Sequence, residues 1–185
     1  MHHDETWQIF KPNGELVVDR GWDSALGNPE ETGSNTIVGV TVVFLYRRNK
    51  NGELELLWQK RSAKVDRFPG DYDISAGGHV NFGETLTDAA IREAWEEIGA
   101  KIDADDLDFV AVRIFGKNRF AWVYLVDWTD RAEDFCFNDE EVSEVRWVPF
   151  AETEEFRERN AKAPLKEEKL LFAAMEEWFL RNGYL

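Results

Sequence analysis

Glu93, Glu96 and Glu97 place three carboxylates on about one helical turn, which makes either a solvated acidic face or a site that gathers a cation. Two such groups about 6 Å apart repel by about 3 kcal/mol at an effective dielectric of 20, and by less than about 1 kcal/mol when surrounded by water. Hard oxygen ligands without His or Cys suit Mg²⁺ or Mn²⁺, and Mg²⁺ commonly shares its carboxylates with substrate phosphates. A bound cation would remove the repulsion. The chemistry it would serve is attack of water on a phosphoanhydride, which needs charge neutralised on the phosphate oxygens, a positioned water and a base.

These carboxylates need a helix to hold them. Residues 86 to 98 read as one, with Thr85 and Asp88 as a capping pair and Gly99 as the stop. Ala90, Ile91, Ala94 and Ile98 form the core-facing stripe, directly beside the acidic one. Upstream, "TIVGVTVVFLYRR" and "ELELLWQKR" bracket "NKNG" as a hairpin, and its first strand is apolar enough to be buried on both faces in the middle of a sheet. "SAKVDRFPGDYD" is a loop, and "ISAGGHV" is short and strand-like. Downstream, "LDFVAVRIFG", "FAWVYLVDW" and "VSEVRWVPF" are three more strands. "KEEKLLFAAMEEWFLRNG" has Leu171, Met175, Trp178 and Phe179 at helical spacing, on a face that either completes the core or meets a second subunit as a homodimer. Residues 5 to 18 read as an N-terminal hairpin around "PNG", and a Gly- and Asn-rich loop follows. The order of elements predicts an α+β sandwich with helices covering a mixed sheet. Residues 1–35 form its hairpin and loop, 36–150 its core and 151–185 its C-terminal helices, in a single domain.

A formal charge of −15 disfavours generic binding to nucleic acid or to an anionic membrane. The longest apolar run, "IVGVTVVFLY", is well short of the roughly 20 residues a membrane helix needs, and no signal peptide is expected. Cys136 is the only cysteine, which excludes an internal disulfide and fits a reducing, cytoplasmic setting.

Spacing beyond the three glutamates decides between a bare acidic face and a site. Gly78, five residues, Glu84, seven residues, Arg92-Glu93, two residues, Glu96-Glu97, one residue and Gly99 follow in order. Seven fixed positions arise by chance at a rate on the order of 10⁻⁷ or lower per window. This pattern resembles the signature of the Nudix hydrolases, most strongly over residues 36 to 150. It departs at Ala94 and Ala100, where bulkier aliphatics are usual, and those positions touch packing rather than ligands.

The resemblance implies an α/β/α sandwich whose box is a loop, helix and loop, and hydrolysis of a nucleoside diphosphate linked to another moiety. It also implies that Glu93, Glu96 and Glu97 bind Mg²⁺ or Mn²⁺ with the Gly78 carbonyl, and that Arg92 orients a glutamate. Glu84 would brace the loop or meet the metal through water. Glu141 is the choice for a further carboxylate, with Glu140 and Glu144 as rivals, and either Glu97 or Glu141 is the base.

"LLWQKRSAKVDRFPGDYDISAGGHV" also looks like the branch that includes isopentenyl diphosphate isomerase. That enzyme uses a cysteine two residues before the histidine corresponding to His79, and here Gly77 occupies the place. It also uses upstream metal-binding histidines, and residues 4 to 78 contain none. A non-catalytic nucleotide sensor is the other alternative, and the full set of glutamates argues against it.

Arg61 and Lys64 could pair with diphosphate oxygens. His79 is either a loop histidine or a substrate contact. Trp58, Phe68, Tyr72, Phe82 and Trp122 either stack on a base or fill the core.

Overall fold

The computed structural model describes residues 9–10, 16–17, 37–115, 119–138, 140–162 and 168–185. Its strands are β1 (Ile9–Phe10), β2 (Leu16–Val17), β3 (Ile37–Arg48), β4 (Leu54–Arg61), β5 (Tyr72–Asp73), β6 (Asp108–Phe115), β7 (Arg119–Asp127) and β8 (Val142–Pro149), and its helices are α1 (Leu86–Ile98), α2 (Thr153–Asn160) and α3 (Glu168–Arg181).

β3 is the axis of the sheet, and its residues from Val38 to Tyr46 are all buried. It runs parallel to β7 along nearly its whole length. On its other side it meets β1 at its start and β4 at its end, both antiparallel. β4 pairs antiparallel with β8, and β7 with β6. Because side chains alternate across a strand, β3 feeds two cores. Val40, Val42, Phe44 and Tyr46 pack with Leu171, Phe172, Met175 and Phe179 of α3, while Val43 and Leu45 pack with Ala90, Ala94 and Ile98 of α1. The result is the expected α/β/α sandwich, and the apolar stripe of α3 completes the core.

A wedge in the sheet positions the site. Between its contacts with β1 and β4, β3 is bridged by the box loop, through Val43 to Ala76 and Val40 to His79. The short, strand-like "ISAGGHV" thus joins the sheet through two isolated bridges to β3. Where β3 and β4 splay, Ser75 replaces the missing ladder bond: its hydroxyl accepts from Leu45 N at 2.9 Å and donates to Leu57 O at 2.5 Å. Such bridging satisfies backbone groups that would otherwise be buried unpaired.

β1 and β2 pair antiparallel, as a hairpin over 5–18 requires, while the "PNG" turn and the loop after it lie outside the described residues. α2 has little apolar periodicity, since Phe156 is its one large apolar residue. That ring packs on Trp58 and Tyr72, with centroids 5.9 and 4.9 Å apart. Among the described residues, no helix is long and apolar enough to cross a membrane.

Candidate active site

α1 begins and ends where its sequence signals stand. Thr85 Oγ1 accepts from Asp88 N at 3.1 Å, and Gly99 adopts φ +68°. A Cβ on Gly99 would lie 2.3 Å from Cys136 Sγ, so glycine is required for space as well as for conformation. The reason is a segment that sequence reading missed. Cys136 N donates to Ile98 O at 3.1 Å, Asn138 N to Glu96 O at 3.2 Å and Asn138 Nδ2 to Trp95 O at 2.8 Å. Residues 136–138 thus cap carbonyls that a helix end leaves unpaired. The chain then reaches Glu141, whose carbonyl accepts from Ser62 N at 2.7 Å. Only the Asn side chain signals such a role in sequence, and it does not say which helix it caps.

Two of the three box carboxylates are buried. Glu93 is 9% and Glu97 5% exposed, whereas the Glu96 side chain is 40% exposed, so the solvated-face reading fits Glu96 alone. Arg92 places all five of its donors around Glu93, Glu96 and Glu84. Nε and Nη2 grip Glu84 at 2.9 and 3.1 Å, Nη1 reaches Glu93 at 2.8 Å and Glu96 at 2.9 Å, and Nη2 also bonds His79 O at 2.9 Å. Burial alone would lower the guanidinium's pKa, but its hydrogen bonds to Glu84 and the charge of Glu93 outweigh it and raise it above the ordinary arginine value. Glu84 also accepts from Asn81 N at 3.0 Å, which makes it a brace for the loop.

Glu97 is held from elsewhere. Its Oε2 accepts from Gln59 Nε2 on β4 at 3.0 Å and from Gly77 N at 2.9 Å. Gly78 lies against Glu93 so closely that a Cβ would stand 2.3 Å from Glu93 Oε1. Its carbonyl accepts from Thr41 N at 2.8 Å and retains a second lone pair. Among the described residues, no three His, Cys, Asp or Glu side chains converge closely enough to enclose an ion. The donor set still fits a hard dication, because it is all oxygen and the glycine-sized gap brings backbone against a carboxylate.

The remaining candidates separate. Arg61 Nε donates to Arg67 O at 2.9 Å, and Lys64 Nζ meets Glu140 at 2.7 Å, so these bonds do not go to the box carboxylates. Glu144 accepts from Tyr72 OH at 2.7 Å, and that bond, ahead of the nearby Lys60, holds its carboxyl below the usual range. A bulge pairs Lys60 with Glu144 but Arg61 with Val142. Val142 therefore joins the α1 layer, and Glu144 turns with Lys60 and Tyr72 to the other side. Trp58 is core, Tyr72 is buried, and Trp122 packs partly against the α1-side core, whereas Phe68 and Phe82 are exposed.

The family model of the NUDIX domain matches residues 36–168. The chain belongs to the Nudix family. Nudix hydrolase 3 of Arabidopsis thaliana is 37% identical over 113 residues, 55% of this chain but 15% of that protein's length. A Nudix hydrolase of Listeria monocytogenes is 30% identical over 153 residues, covering 83% of this chain and 85% of that protein. The crystal structure of DR0079 from Deinococcus radiodurans has the same fold, with a TM-score of 0.67, 24% identity and coverage of 89% of this chain and 96% of that one.

Within the Nudix fold, the isomerase alternative meets a steric obstacle. A Cβ on Gly77 would lie 2.4 Å from Thr41 O and 2.8 Å from Ile74 Cδ1, so a cysteine there must displace backbone. Gly77→Cys is expected to destabilise the protein by about 1–3 kcal/mol, as overpacking does. Thermal unfolding checks this, and an unchanged midpoint would show that the loop yields freely.

Proposed function

We propose that this Nudix chain is an Mg²⁺- or Mn²⁺-dependent hydrolase that cleaves the diphosphate linkage of a nucleoside diphosphate derivative or a related small molecule. The observation that carries this reading is the burial of two carboxylates on one turn of α1, Glu93 against Arg92 and Glu97 against Gln59 and Gly77, since buried charges must be paired or hydrogen-bonded and such perturbed groups cluster at functional sites. Glu93, Glu96, Glu97 and the Gly78 carbonyl, joined by Glu141, would hold the metal. Once bound, the ion would neutralise charge on the phosphate oxygens and make water more acidic. Glu97 or Glu141 accepts the proton from the attacking water. Arg92 orients Glu93 and Glu96, and Glu84 and Gly99 set the ends of the box.

Among the described contacts the Lys64 ammonium meets only the exposed Glu140, so it can turn to a diphosphate together with Arg61, and His79 in the box loop is a further candidate substrate contact. An exposed, unpaired Cys136 suits the cytoplasm.

The deciding experiment is a turnover screen with Mg²⁺ over nucleoside triphosphates, ADP-ribose, dinucleotide cofactors, coenzyme A and isoprenoid diphosphates. Release of phosphate-containing products from any of the nucleotides supports the reading. Rearranged isopentenyl diphosphate would point to the isomerase, and binding without turnover to a sensor.

Two further outcomes are expected. Millimolar Mg²⁺ or Mn²⁺ raises the unfolding temperature, because a ligand that binds only the folded state stabilises it. A melting curve indifferent to both ions argues against the site. Glu141→Gln lowers turnover more than Glu144→Gln does, since Glu144 is engaged by Tyr72 on the other side of the sheet. The reverse ranking of the two kcat values would remove Glu141 from the site.

A further inference from the structure

The geometry points to Gln59 as the residue that positions Glu97, a role that rests on the functional reading above. Gln59 is 2% exposed and lies on β4 at a position facing α1, the face on which its neighbour Leu57 is wholly buried. An apolar side chain is the default there, because a buried amide costs stability unless its hydrogen bonds are made. The amide is instead directed at one atom, Glu97 Oε2, at 3.0 Å. That same oxygen receives Gly77 N at 2.9 Å.

The carboxylate is thus fixed by three separate elements. Helix α1 supplies its backbone, the box loop supplies one donor and the sheet supplies the other. Two donors on one oxygen set the plane of the carboxylate and hence the direction of its other oxygen. The Gly77 bond comes from a loop whose place depends on isolated bridges to β3, whereas the Gln59 bond comes from a strand paired on both sides. Gln59 is therefore the rigid half of the clamp. Arg92 holds Glu84, Glu93 and Glu96 from one side of the box, and Gln59 holds Glu97 from the sheet.

A double-mutant cycle tests this, using Gln59→Met, Glu97→Gln and the pair in the full chain. Turnover is measured on the best substrate of the screen, and Mn²⁺ binding is measured without substrate by electron paramagnetic resonance. Gln59→Met is expected to lower kcat about tenfold, the effect of losing one hydrogen bond to a charged group, while KM stays within about twofold. Its Mn²⁺ dissociation constant rises several-fold. On the Glu97→Gln background, the same change costs nothing further in either measurement. Gln59→Asn retains an amide but withdraws it by one methylene, and it loses activity and Mn²⁺ affinity in the same way, which covers the case where the methionine variant folds poorly. Wild-type kcat and Mn²⁺ affinity in Gln59→Asn, or a full Gln59→Met loss that persists without Glu97, would overturn the assignment. If the wild-type chain cleaves none of the panel, the functional reading fails, and the Mn²⁺ cycle alone still decides whether Gln59 acts through Glu97.

Discussion

Replacing Glu97 by glutamine is expected to lower turnover by at least about 10²-fold while leaving the fold intact, the size of effect associated with losing a positioned general base. The substitution preserves shape, and the buried surroundings already offer the Gln59 amide. The carboxylate sits at 5% exposure with Gln59 and Gly77 on the same oxygen, so a glutamine can keep its carbonyl oxygen toward those donors. What it loses is the negative charge that would grip a dication and the capacity to take a proton. Steady-state kinetics with Mg²⁺, set beside circular dichroism and a thermal melt, separates lost catalysis from lost folding. Undiminished kcat in a folded Glu97→Gln protein would remove this residue from the mechanism and move the role of base to Glu141.

The largest effect on stability is expected at Arg92. Its guanidinium makes five hydrogen bonds to three glutamates and one carbonyl, and only 21% of its side chain is exposed. Arg92→Met keeps the length of the aliphatic stem and leaves Glu84 and Glu93 partly buried without their cation. Removing one partner from such a pair costs about 3–5 kcal/mol, because the remaining charge stays in low dielectric. For a chain of this size that corresponds to a fall of roughly 6–20 °C in Tm. Arg92→Lys keeps the charge but offers three donors in place of a planar fork, so its loss should lie between that of methionine and wild type. Calorimetry on the three proteins orders them. A methionine variant that melted with the wild type would mean that the glutamates disperse into solvent at no cost.

The parts of the molecule legible in the sequence are those governed by neighbours along the chain. The span of α1 follows from Thr85, Asp88 and Gly99, each acting within one turn. β3, β4, β6, β7 and β8 follow from runs of branched and aromatic residues, and α3 from a repeating apolar stripe. α2 left no such mark, since a helix with one large apolar residue carries no period, and it is held by Phe156 against Trp58 and Tyr72. The strand-like "ISAGGHV" pairs with β3 only at isolated bridges. Gly77 and Gly78 are there for close approach to Thr41 and Glu93, and their lack of side chains lets the loop wedge beside β3.

By itself, the sequence determined which carboxylates stand on one helix, where that helix starts and stops, and which family the spacing belongs to, because each depends on local geometry and a fixed repeat. The tertiary structure alone decided that Glu93 and Glu97 are buried and Glu96 exposed. It also decided that Gln59 reaches Glu97 across 38 residues, that Glu144 pairs with Lys60 on the far face while a bulge brings Val142 to the α1 side, and that residues 136–138 cap α1. These outcomes depend on how strands splay and pack, through contacts between segments distant along the chain, and no period or motif records such contacts.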